Sequence, residues 1–316
     1  MNLQICIPTI KSSVDLKLLL IEIGEQYETL KLSKSIFNQV CLLIVQNNHD
    51  FKGETFTDLS IPLPSRVIFE PKQGFASVRN RILMESENFD WVLMMDDDLS
   101  LNECLFLELA KICEEFGDLH FIAGRVTQLY QNEILSLLVP ESNLDWERKR
   151  LHKLDFGSGL IALNMSFIKE FGLKFDNTYD KSGGEDLDFN FRMRKKRANI
   201  YVSSRISALE IKRNFDLQDF LKREFLRAKG SVFVRLNHGK YIRQLIQVGY
   251  HAAVLPCSMV LWFFSPLAQK KVGFLKLCLK PSIVLFGEIC GAIYHLQKNA
   301  SKTSEISAHK SKCGDE

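Results

Sequence analysis

The chain has 316 residues, of which 46% are hydrophobic and 25% are charged, as expected of a globular protein with a large core. This length allows one large α/β domain with an appendage, or two domains. The net charge of +3 is too small to indicate a nucleic-acid partner, because a nucleic-acid binder is expected to carry a concentrated basic stripe. We therefore expect no nucleic acid among the ligands.

The eight cysteines form no CxxC pair, and several of them stand inside apolar runs. Such cysteines usually behave as small buried hydrophobic residues, whereas zinc sites and disulfide frameworks need closer pairing. The N-terminus enters an apolar run at once, without the charged segment and cleavage site of a signal peptide. These features predict reduced thiols in a cytoplasmic protein.

Strands alternate with helices over the first 123 residues. The predicted strands are 3–9, 40–45, 66–69, 91–95 and 120–123, and the predicted helices are 14–30, 74–85 and 102–116. This order favours an α/β fold with a doubly wound, mostly parallel sheet. The polar residues Thr9, Gln46 to Asn48, Glu70 and Asp96 to Asp98 each follow a strand. Because ligands bind at the carboxyl ends of strands in such sheets, we expect these residues to share one site.

The composition becomes more apolar beyond about residue 237. Residues 245–267 are almost continuously apolar apart from Gln247, His251 and Pro256, and a second apolar stretch, 281–296, contains Glu288. A spanning helix needs roughly 20 mostly apolar residues, so only the first stretch is clearly long enough.

If both apolar stretches spanned a membrane, the loop with Lys270 and Lys271 would lie outside, against the positive-inside tendency. We therefore expect an apolar helical tail that is embedded in a membrane or lies on its surface. Helices packed on the domain, or a dimer interface, are the alternative. The predicted division is a sheet domain at 1–236, the apolar helical region at 237–296 and a disordered polar tail at 297–316.

Three consecutive aspartates, Asp96 to Asp98, follow the apolar strand 91–95. In extended geometry alternate side chains share a face, which would bring Asp96 and Asp98 together. Two carboxylates on one face repel unless a cation joins them, and hard oxygen ligands select Mg²⁺ or Mn²⁺. A solvated turn or a helix N-cap is the structural alternative.

A second acidic cluster, Gly183 to Asp188, opens a predicted helix. Acids at this position also favour the helix dipole, which is the alternative explanation. In a site with two acidic clusters, one can hold a metal while the other supplies a base for an acceptor hydroxyl. A third cluster contains Gly74 and Arg79, where the helix start and the guanidinium could take a phosphate, although such an arginine is usually solvated.

The order of these clusters resembles the family 2 glycosyltransferases, which have the GT-A nucleotide-sugar-binding fold. No single motif is specific for this family, whereas the order of the motifs over about residues 3–230 is. The matched features are the strand running into Pro8-Thr9, the amide turn Gln46-Asn47-Asn48, the helix from Gly74 to Asn80, the Asp-x-Asp motif at Asp96 and Asp98, the turn Gly157-Ser158-Gly159, the helix start Gly184-Glu185-Asp186 and the basic helix with Arg223 and Arg227.

The resemblance implies a role for each matched position. Asp98, supported by Asp96, would hold Mg²⁺ or Mn²⁺ on the diphosphate of a nucleotide-sugar donor, while Asp97 would face away from the metal. Asp186 would deprotonate an acceptor hydroxyl, and Glu185 would bind acceptor hydroxyls or orient that base. The remaining implied contacts are to the donor (Pro8, Thr9, Asn47, Asn48, Gly74, Arg79, Asp96, Asp97, Arg223, Arg227) and to the acceptor (Gly157, Ser158, Gly184).

Three departures from the family pattern stand out. The nucleotide turn has Gln46-Asn47-Asn48 where relatives often carry Asp, which leaves the base open, and Ser77-Val78 replaces the usual alanine run. Many relatives place a histidine after the last strand as a further metal ligand. Here the stretch reads Ala208-Leu209-Glu210, so Glu210 is the candidate substitute.

The expected function is therefore that of an inverting, metal-dependent glycosyltransferase. It would move a sugar from a UDP-linked donor to a glycan or lipid-linked acceptor in cell-surface polysaccharide synthesis, at the cytoplasmic face of the inner (plasma) membrane. A catalytically silent binding or membrane-assembly protein with this fold is the alternative. A two-metal phosphoryl-transfer enzyme would need a second pair of ligating acids and a basic groove, and neither is evident in the sequence. Whether the chain forms a homodimer is left open.

Overall fold

The protein is described by a computed structural model that covers residues 1–10, 14–33, 35–48, 61–132, 135, 147–149, 157, 159–180, 183–213, 215–263 and 280–312. The described residues form two compact units. The sheet unit lies within residues 1–131, 140–181 and 185–214, and the helical unit lies mainly beyond residue 215. The division therefore falls near residue 214, whereas the sequence predicts a domain boundary at 236.

The strands and helices of the sheet unit alternate along the chain. The strands are β1 (Asn2–Thr9), β2 (Gln39–Gln46), β3 (Ser65–Phe69), β4 (Trp91–Met95), β5 (Leu99–Leu101), β6 (Phe121–Tyr130), β7 (Glu147–Lys149), β8 (Leu160–Asn164) and β9 (Ile200–Lys212). The helices are α1 (Val14–Leu32), α2 (Phe75–Glu85), α3 (Leu105–Glu115), α4 (Met165–Glu170) and α5 (Glu185–Lys195), and a short 3₁₀ helix spans Asn177–Tyr179.

Among the described residues, the strands form one mixed sheet in the order β3-β2-β1-β4-β8-β6-β9-β5, with β7 paired to β9. The pairs β1–β2, β1–β4, β2–β3 and β6–β9 are parallel, whereas β4–β8, β6–β8, β5–β9 and β7–β9 are antiparallel. The prediction of a mostly parallel sheet is therefore wrong for the second half. The chain enters β8 beside the carboxyl end of β4, where Met95 pairs with Leu160, so β8 runs back antiparallel to β4.

Each face of the sheet is covered by helices, as expected of an α/β fold. Leu3, Ile5 and Ile7 of β1 belong to one core, with residues of α1 and α3, whereas Cys6 belongs to the other, with residues of α2, α4 and α5. This alternation follows from the two-residue period of a strand. Each fully buried leucine or isoleucine contributes about 1.5–3 kcal/mol to folding relative to an exposed one.

The helical unit contains α6 (Leu217–Asn237), α7 (Tyr241–Phe263) and α8 (Lys280–Lys312). α6 begins at a capping box, in which the Asp216 carboxylate accepts a hydrogen bond from the Asp219 N–H at 2.8 Å. α8 packs closely on α6 at two glycines, because a Cβ at Gly287 would lie 2.7 Å from the Phe225 carbonyl oxygen and one at Gly291 would lie 2.5 Å from that of Lys229. α8 extends to Lys312, through most of the tail that the sequence predicts to be disordered.

The polar residues that interrupt the apolar stretches meet inside the helical unit. Glu288, which is 1% exposed, accepts a hydrogen bond from Gln247 Nε2 at 2.8 Å, and its other oxygen lies 2.8 Å from His251 Nδ1. Arg235 Nη1 in turn donates to Gln247 Oε1 at 2.6 Å. These bonds tie three helices together by satisfying polar groups that are otherwise costly to bury. Within the described residues, no helix combines the length and the apolar character needed to cross a membrane.

Candidate functional site

The carboxyl ends of β1 and β4 are neighbours in the sheet, and the candidate site is built around them. Thr9, the last residue of β1, is 4% exposed, and its hydroxyl donates a hydrogen bond to the Asp97 carboxylate. The sequence predicts this proximity from the position of each residue after a strand. Asp97 therefore faces Thr9 and the end of β1.

The three aspartates lie in a turn that leads from β4 into β5, not in an extended strand. The Asp96 N–H donates to the Gly159 carbonyl oxygen at 2.9 Å, Asp97 faces Thr9, and Asp98 turns to Lys212 on β9. The expectation that Asp96 and Asp98 share a strand face does not hold, because the chain leaves the extended conformation after Met95. Each aspartate has its own neighbours.

Gly159 lies directly against the Asp96 carboxylate. A Cβ at this position would lie 2.8 Å from Asp96 Oδ2, so any other residue would require the carboxylate to shift. The end of the turn Gly157-Ser158-Gly159, which the resemblance assigns to the acceptor side, therefore lies beside the aspartates. Gly157 is exposed, and Ser158 falls outside the described residues.

Negative charge accumulates at this turn. Burial raises the pKa of Asp96 to about 6; Arg79 opposes this shift, while Asp98, Glu210 and Asp97 add to it. Burial also raises the pKa of Asp97, although the hydrogen bond from Thr9 counteracts part of the effect. A site with these properties favours a bound cation.

Lys212 supplies one positive charge that the sequence interpretation missed. Its ammonium donates to Asp98 Oδ2 at 2.9 Å and makes a closer ion pair with Glu210. The other Glu210 oxygen accepts a hydrogen bond from Gln128 Nε2. Both oxygens of the predicted metal ligand Glu210 are thus engaged by protein groups. The spacing of Glu210 and Lys212, two residues apart on one strand and hence on one face, is a local signal for their ion pair. The contact of Lys212 with Asp98 depends instead on the pairing of β5 with β9.

Arg79 and Glu185 form a buried ion pair in which both side chains are less than a tenth exposed. The Arg79 guanidinium also lies over the rings of Phe75 and Phe175, at 5.5 and 5.6 Å from their centroids. Burial raises the pKa of Glu185, and the charge of Arg79 opposes the shift. The resemblance gives these residues separate donor and catalytic roles, whereas the structure pairs them with each other.

Asp186 follows Glu185 in the first turn of α5 and remains partly exposed. Its Oδ1 accepts a hydrogen bond from the Leu187 N–H at 2.7 Å. It lines a small crevice with residues that include Gly157, Ile161 and Phe189. Of the two adjacent acids, Asp186 is therefore the more accessible to a ligand.

The start of α2 is capped by Asp180, about a hundred residues away in sequence. The Asp180 carboxylate accepts hydrogen bonds from the N–H of Ala76 at 2.8 Å, the N–H of Ser77 at 3.3 Å and the Ser77 hydroxyl at 3.0 Å. Gly74 has φ +135°, and a Cβ there would lie 2.3 Å from the Asp180 carboxyl carbon. A donor phosphate at this helix start would have to replace the carboxylate, so the predicted contact of Gly74 stays a prediction.

The predicted nucleotide turn lies at the end of β2. The Asn47 side chain donates to the carbonyl oxygens of Glu70 and Lys72, each at 2.8 Å, and accepts from the Gly74 N–H at 3.0 Å. Asn47 therefore fixes the chain between β3 and α2. Gln46 is 3% exposed, and its Oε1 has no hydrogen-bond partner among the residues that the structure describes. Pro8 and Asn48 are partly exposed.

Three further predicted residues belong to the helical unit. Gly184 has φ +96°, and a Cβ there would lie 2.8 Å from Val234 Cγ2. Arg223 lies over the Phe215 ring, 4.8 Å from its centroid, and the exposed Arg227 pairs with Glu224 at 3.4 Å. The predicted contacts of these residues with the donor and the acceptor stay predictions.

The acidic turn can offer a divalent metal ion carboxylate ligands, but only a few of them. Within the described part of the chain, no group of three or more His, Cys, Asp or Glu side chains is arranged to hold a metal ion. Mg²⁺ is commonly held by one or two carboxylates together with substrate phosphates, and such an ion needs fewer protein ligands. Asp98, whose side chain is 33% exposed, can provide the accessible carboxylate, and Asp96 is near enough to interact with it electrostatically.

No protein-family model and no curated protein matches the sequence. Solved structures do match. They include S. aureus TarS 1–349, with a TM-score of 0.50, 16% identity and 72% of this chain covered, and TarS 1–349 in complex with UDP-GlcNAc, with a TM-score of 0.51, 17% identity and 72% covered. The mannosyltransferase PcManGT from Pyrobaculum calidifontis, in complex with GDP-Man and Mn²⁺, matches with a TM-score of 0.57 and 13% identity over 93% of this chain.

The chain has a glycosyltransferase fold. The match covers 64% of the first TarS chain, 66% of the chain with UDP-GlcNAc and 87% of the mannosyltransferase chain. The chain thus spans less than two thirds of the first TarS structure. The sequence singles out two acidic clusters. In this fold they lie at the turn after β4 and at the start of α5.

Proposed function

We propose that the protein is an inverting family 2 glycosyltransferase that transfers a sugar from a nucleotide-diphosphate donor, a UDP-sugar, to an acceptor hydroxyl. The observation that carries the proposal is the acidic turn of Asp96 to Asp98, placed at the end of β4 beside Thr9 and Gly159. The structural neighbours support it, since TarS is seen with UDP-GlcNAc and PcManGT with GDP-Man.

Asp98, with Asp96 beside it, would hold Mg²⁺ or Mn²⁺ against the donor diphosphate. When bound, the metal would neutralise the charge that develops on the departing diphosphate. Mn²⁺ is present in one neighbour, PcManGT.

Asp186 is the proposed general base. A base has to reach the proton it removes, and Asp186 is partly exposed in the first turn of α5, whereas Glu185 is 5% exposed and paired with Arg79. We assign Glu185 a positioning role, in which its ion pair fixes the start of α5. The acceptor hydroxyl would then attack the anomeric carbon from the side opposite the diphosphate.

The helical unit supports a glycan or lipid-linked acceptor at a membrane surface. Its described residues expose large apolar side chains while burying polar ones, the reverse of an ordinary soluble helix. The exposed ones are Tyr241, Ile242, Leu245, Ile246, Tyr250, Phe286, Ile289, Ile293 and Leu296, and the buried ones include Gln244, Glu288 and His295. An exposed apolar surface of this kind fits lipid, which supports a reaction beside a membrane. Cell-surface polysaccharide synthesis at the cytoplasmic face of the plasma membrane is the setting that we propose for it.

The proposed donor class is tested by incubating the purified protein and Mn²⁺ with a panel of nucleotide sugars and measuring the nucleoside diphosphate released. We expect release from one donor or a few related donors, and loss of release on addition of EDTA. Asp98→Asn should behave as the EDTA-treated protein does. A protein that binds a nucleotide sugar but releases nothing from any donor, with or without candidate acceptors, would be a catalytically silent member of this fold.

A further inference from the structure

Lys212 lies between two carboxylates of the acidic turn. Its ammonium bridges Asp98 and Glu210, and the side chains of Lys212 and Glu210 are only 18% and 12% exposed. The Asp98 side chain is 33% exposed, and two carboxylates that share one partly buried cation position repel unless a cation lies between them. Lys212 therefore supplies the cation between these two carboxylates.

The strand register places this lysine. On β9, Glu210 pairs with Leu99, the residue directly after Asp98, and Lys212 follows Glu210 by two residues, so both side chains point to the same side of the sheet. Gln128, the partner of Glu210 on β6, holds the second Glu210 oxygen. The ion pair thus follows from the sheet pairing of three strands.

We propose that Lys212 occupies the cation position between Asp98 and Glu210 in the donor-free protein, so that a divalent metal ion binds at Asp98 only together with a nucleotide diphosphate. This inference rests on the proposed function, because it takes Asp98 as a metal ligand. A metal ion alone must displace an ammonium that two carboxylates already hold. A diphosphate adds negative charge, which offsets the repulsion between metal and ammonium and offers the ammonium a new partner.

Lysine suits such an exchange. Its ammonium is a compact charge on a flexible four-carbon chain, so it can move away from Asp98 while its backbone stays in the sheet. The metal would then be recruited with the donor and would not remain bound between turnovers. Metal binding would therefore depend on the presence of donor.

The test measures Mn²⁺ binding to the full-length protein by electron paramagnetic resonance, first without nucleotide and then with UDP or GDP, each corrected by a protein-free titration. Wild type should bind Mn²⁺ at least about tenfold more tightly with one of these diphosphates than alone. Lys212→Met should bind Mn²⁺ without nucleotide at least about tenfold more tightly than wild type, because removal of one charge from a partly buried pair is worth more than a tenfold change.

Three variants serve as controls. Lys212→Arg keeps the positive charge and should bind Mn²⁺ alone as weakly as wild type. Lys212→Met combined with Glu210→Gln removes one charge of each sign, and the gain in Mn²⁺ affinity should largely disappear. Lys111→Met removes an exposed lysine that pairs with Glu108 on α3, and it should change nothing. Far-UV circular dichroism checks that each variant is folded, and the comparison of wild type with and without a diphosphate keeps the test decisive if Lys212→Met does not fold.

Equal Mn²⁺ affinity of wild type and Lys212→Met in the absence of nucleotide would overturn the inference. Wild type that binds Mn²⁺ equally well with and without both diphosphates would also overturn it. The comparison with metal alone involves no sugar donor, so it can fail while donor hydrolysis is observed, and it can succeed while hydrolysis is absent. Failure of this inference is therefore distinguishable from failure of the proposed function.

Discussion

Two adjacent acids at the start of α5 occupy different environments, and this difference assigns their roles. Glu185 points into the sheet unit, where Arg79 neutralises it between two aromatic rings. A buried ion pair of this kind is costly to break from one side, because the remaining charge is left without a partner. Asp186 stays partly exposed and forms no ion pair in its described contacts. The base is therefore expected at Asp186.

Replacing Asp186 with Asn should lower the transfer rate by about 10²- to 10⁴-fold, the range that a positioned general base contributes. Donor affinity should stay close to that of wild type, because the acidic turn is untouched. The measurements are transfer rate and donor dissociation constant on the same preparation, with the exposed Glu114→Gln on α3 as a matched acid-to-amide control. Full transfer activity in Asp186→Asn would remove the residue from the mechanism.

Glycines set the distance between elements at several points. In the helical unit, α8 approaches α6 so closely that a Cβ at Gly291 would lie 2.5 Å from the Lys229 carbonyl oxygen. Gly249 on α7 is different, because a Cβ there has no neighbour within 4 Å among the described residues. Gly291 and Gly249 are thus matched for a test, because both lie in helices and, in the described part of the chain, only Gly291 of the two lies against another helix.

Gly291→Ala should destabilise the helical unit by about 1–3 kcal/mol, because the added methyl group meets backbone and forces the helices apart. Gly249→Ala should instead be neutral or stabilise slightly, by up to about 1 kcal/mol, since alanine is the better helix former. Thermal or urea unfolding of both variants measures the difference. If Gly291→Ala is as stable as Gly249→Ala, the close packing of α6 and α8 is wrong.

The elements through residue 123, apart from β5, follow from sequence patterns, because a strand or helix with one buried face carries its own periodicity. The strand Trp91–Met95 has the predicted bounds, and α2 starts one residue after its predicted start at Gly74. The site residues after β1, β2 and β4 were predictable for a related reason, since parallel neighbours end at the same edge. Contacts made by distant residues were not predictable.

Two contacts show what local patterns miss. Asp180 caps α2 from about a hundred residues away, and Lys212 reaches Asp98 through the pairing of β5 with β9. Neither contact leaves a local signal, because each depends on how the sheet brings separate segments together. The turn conformation of Asp96 to Asp98 was missed for the same reason, since β5 had not been predicted and an extended course was assumed.

At the scale of the whole molecule, a sheet unit with the acidic site is joined in one chain to a helical unit with apolar side chains on its surface. The helical unit buries the network of Arg235, Gln247, His251 and Glu288 and exposes residues such as Leu245 and Ile246. This distribution explains the polar interruptions of the apolar stretches as partners of one another, while membrane association stays a prediction. Attachment to a lipid surface is the expected consequence.

The expected membrane attachment is tested by flotation of the purified protein with phospholipid vesicles that contain anionic lipid. Wild type should float with the vesicles, because its exposed apolar side chains leave water on binding. Leu245→Gln combined with Ile246→Gln should float less while retaining donor hydrolysis, since neither residue belongs to the acidic site. Wild type that remains at the bottom of the gradient would contradict membrane attachment.

Sugar transfer is tested most directly by following the anomeric proton of the sugar by NMR while the protein and Mn²⁺ act on the donor selected from the panel. We predict that the sugar first released, or first linked to an acceptor, has the anomeric configuration opposite to that of the donor, and that EDTA prevents its formation. Release of a sugar with retained configuration would contradict the inverting mechanism and the role of Asp186. No release from any nucleotide sugar would contradict the glycosyltransferase assignment itself.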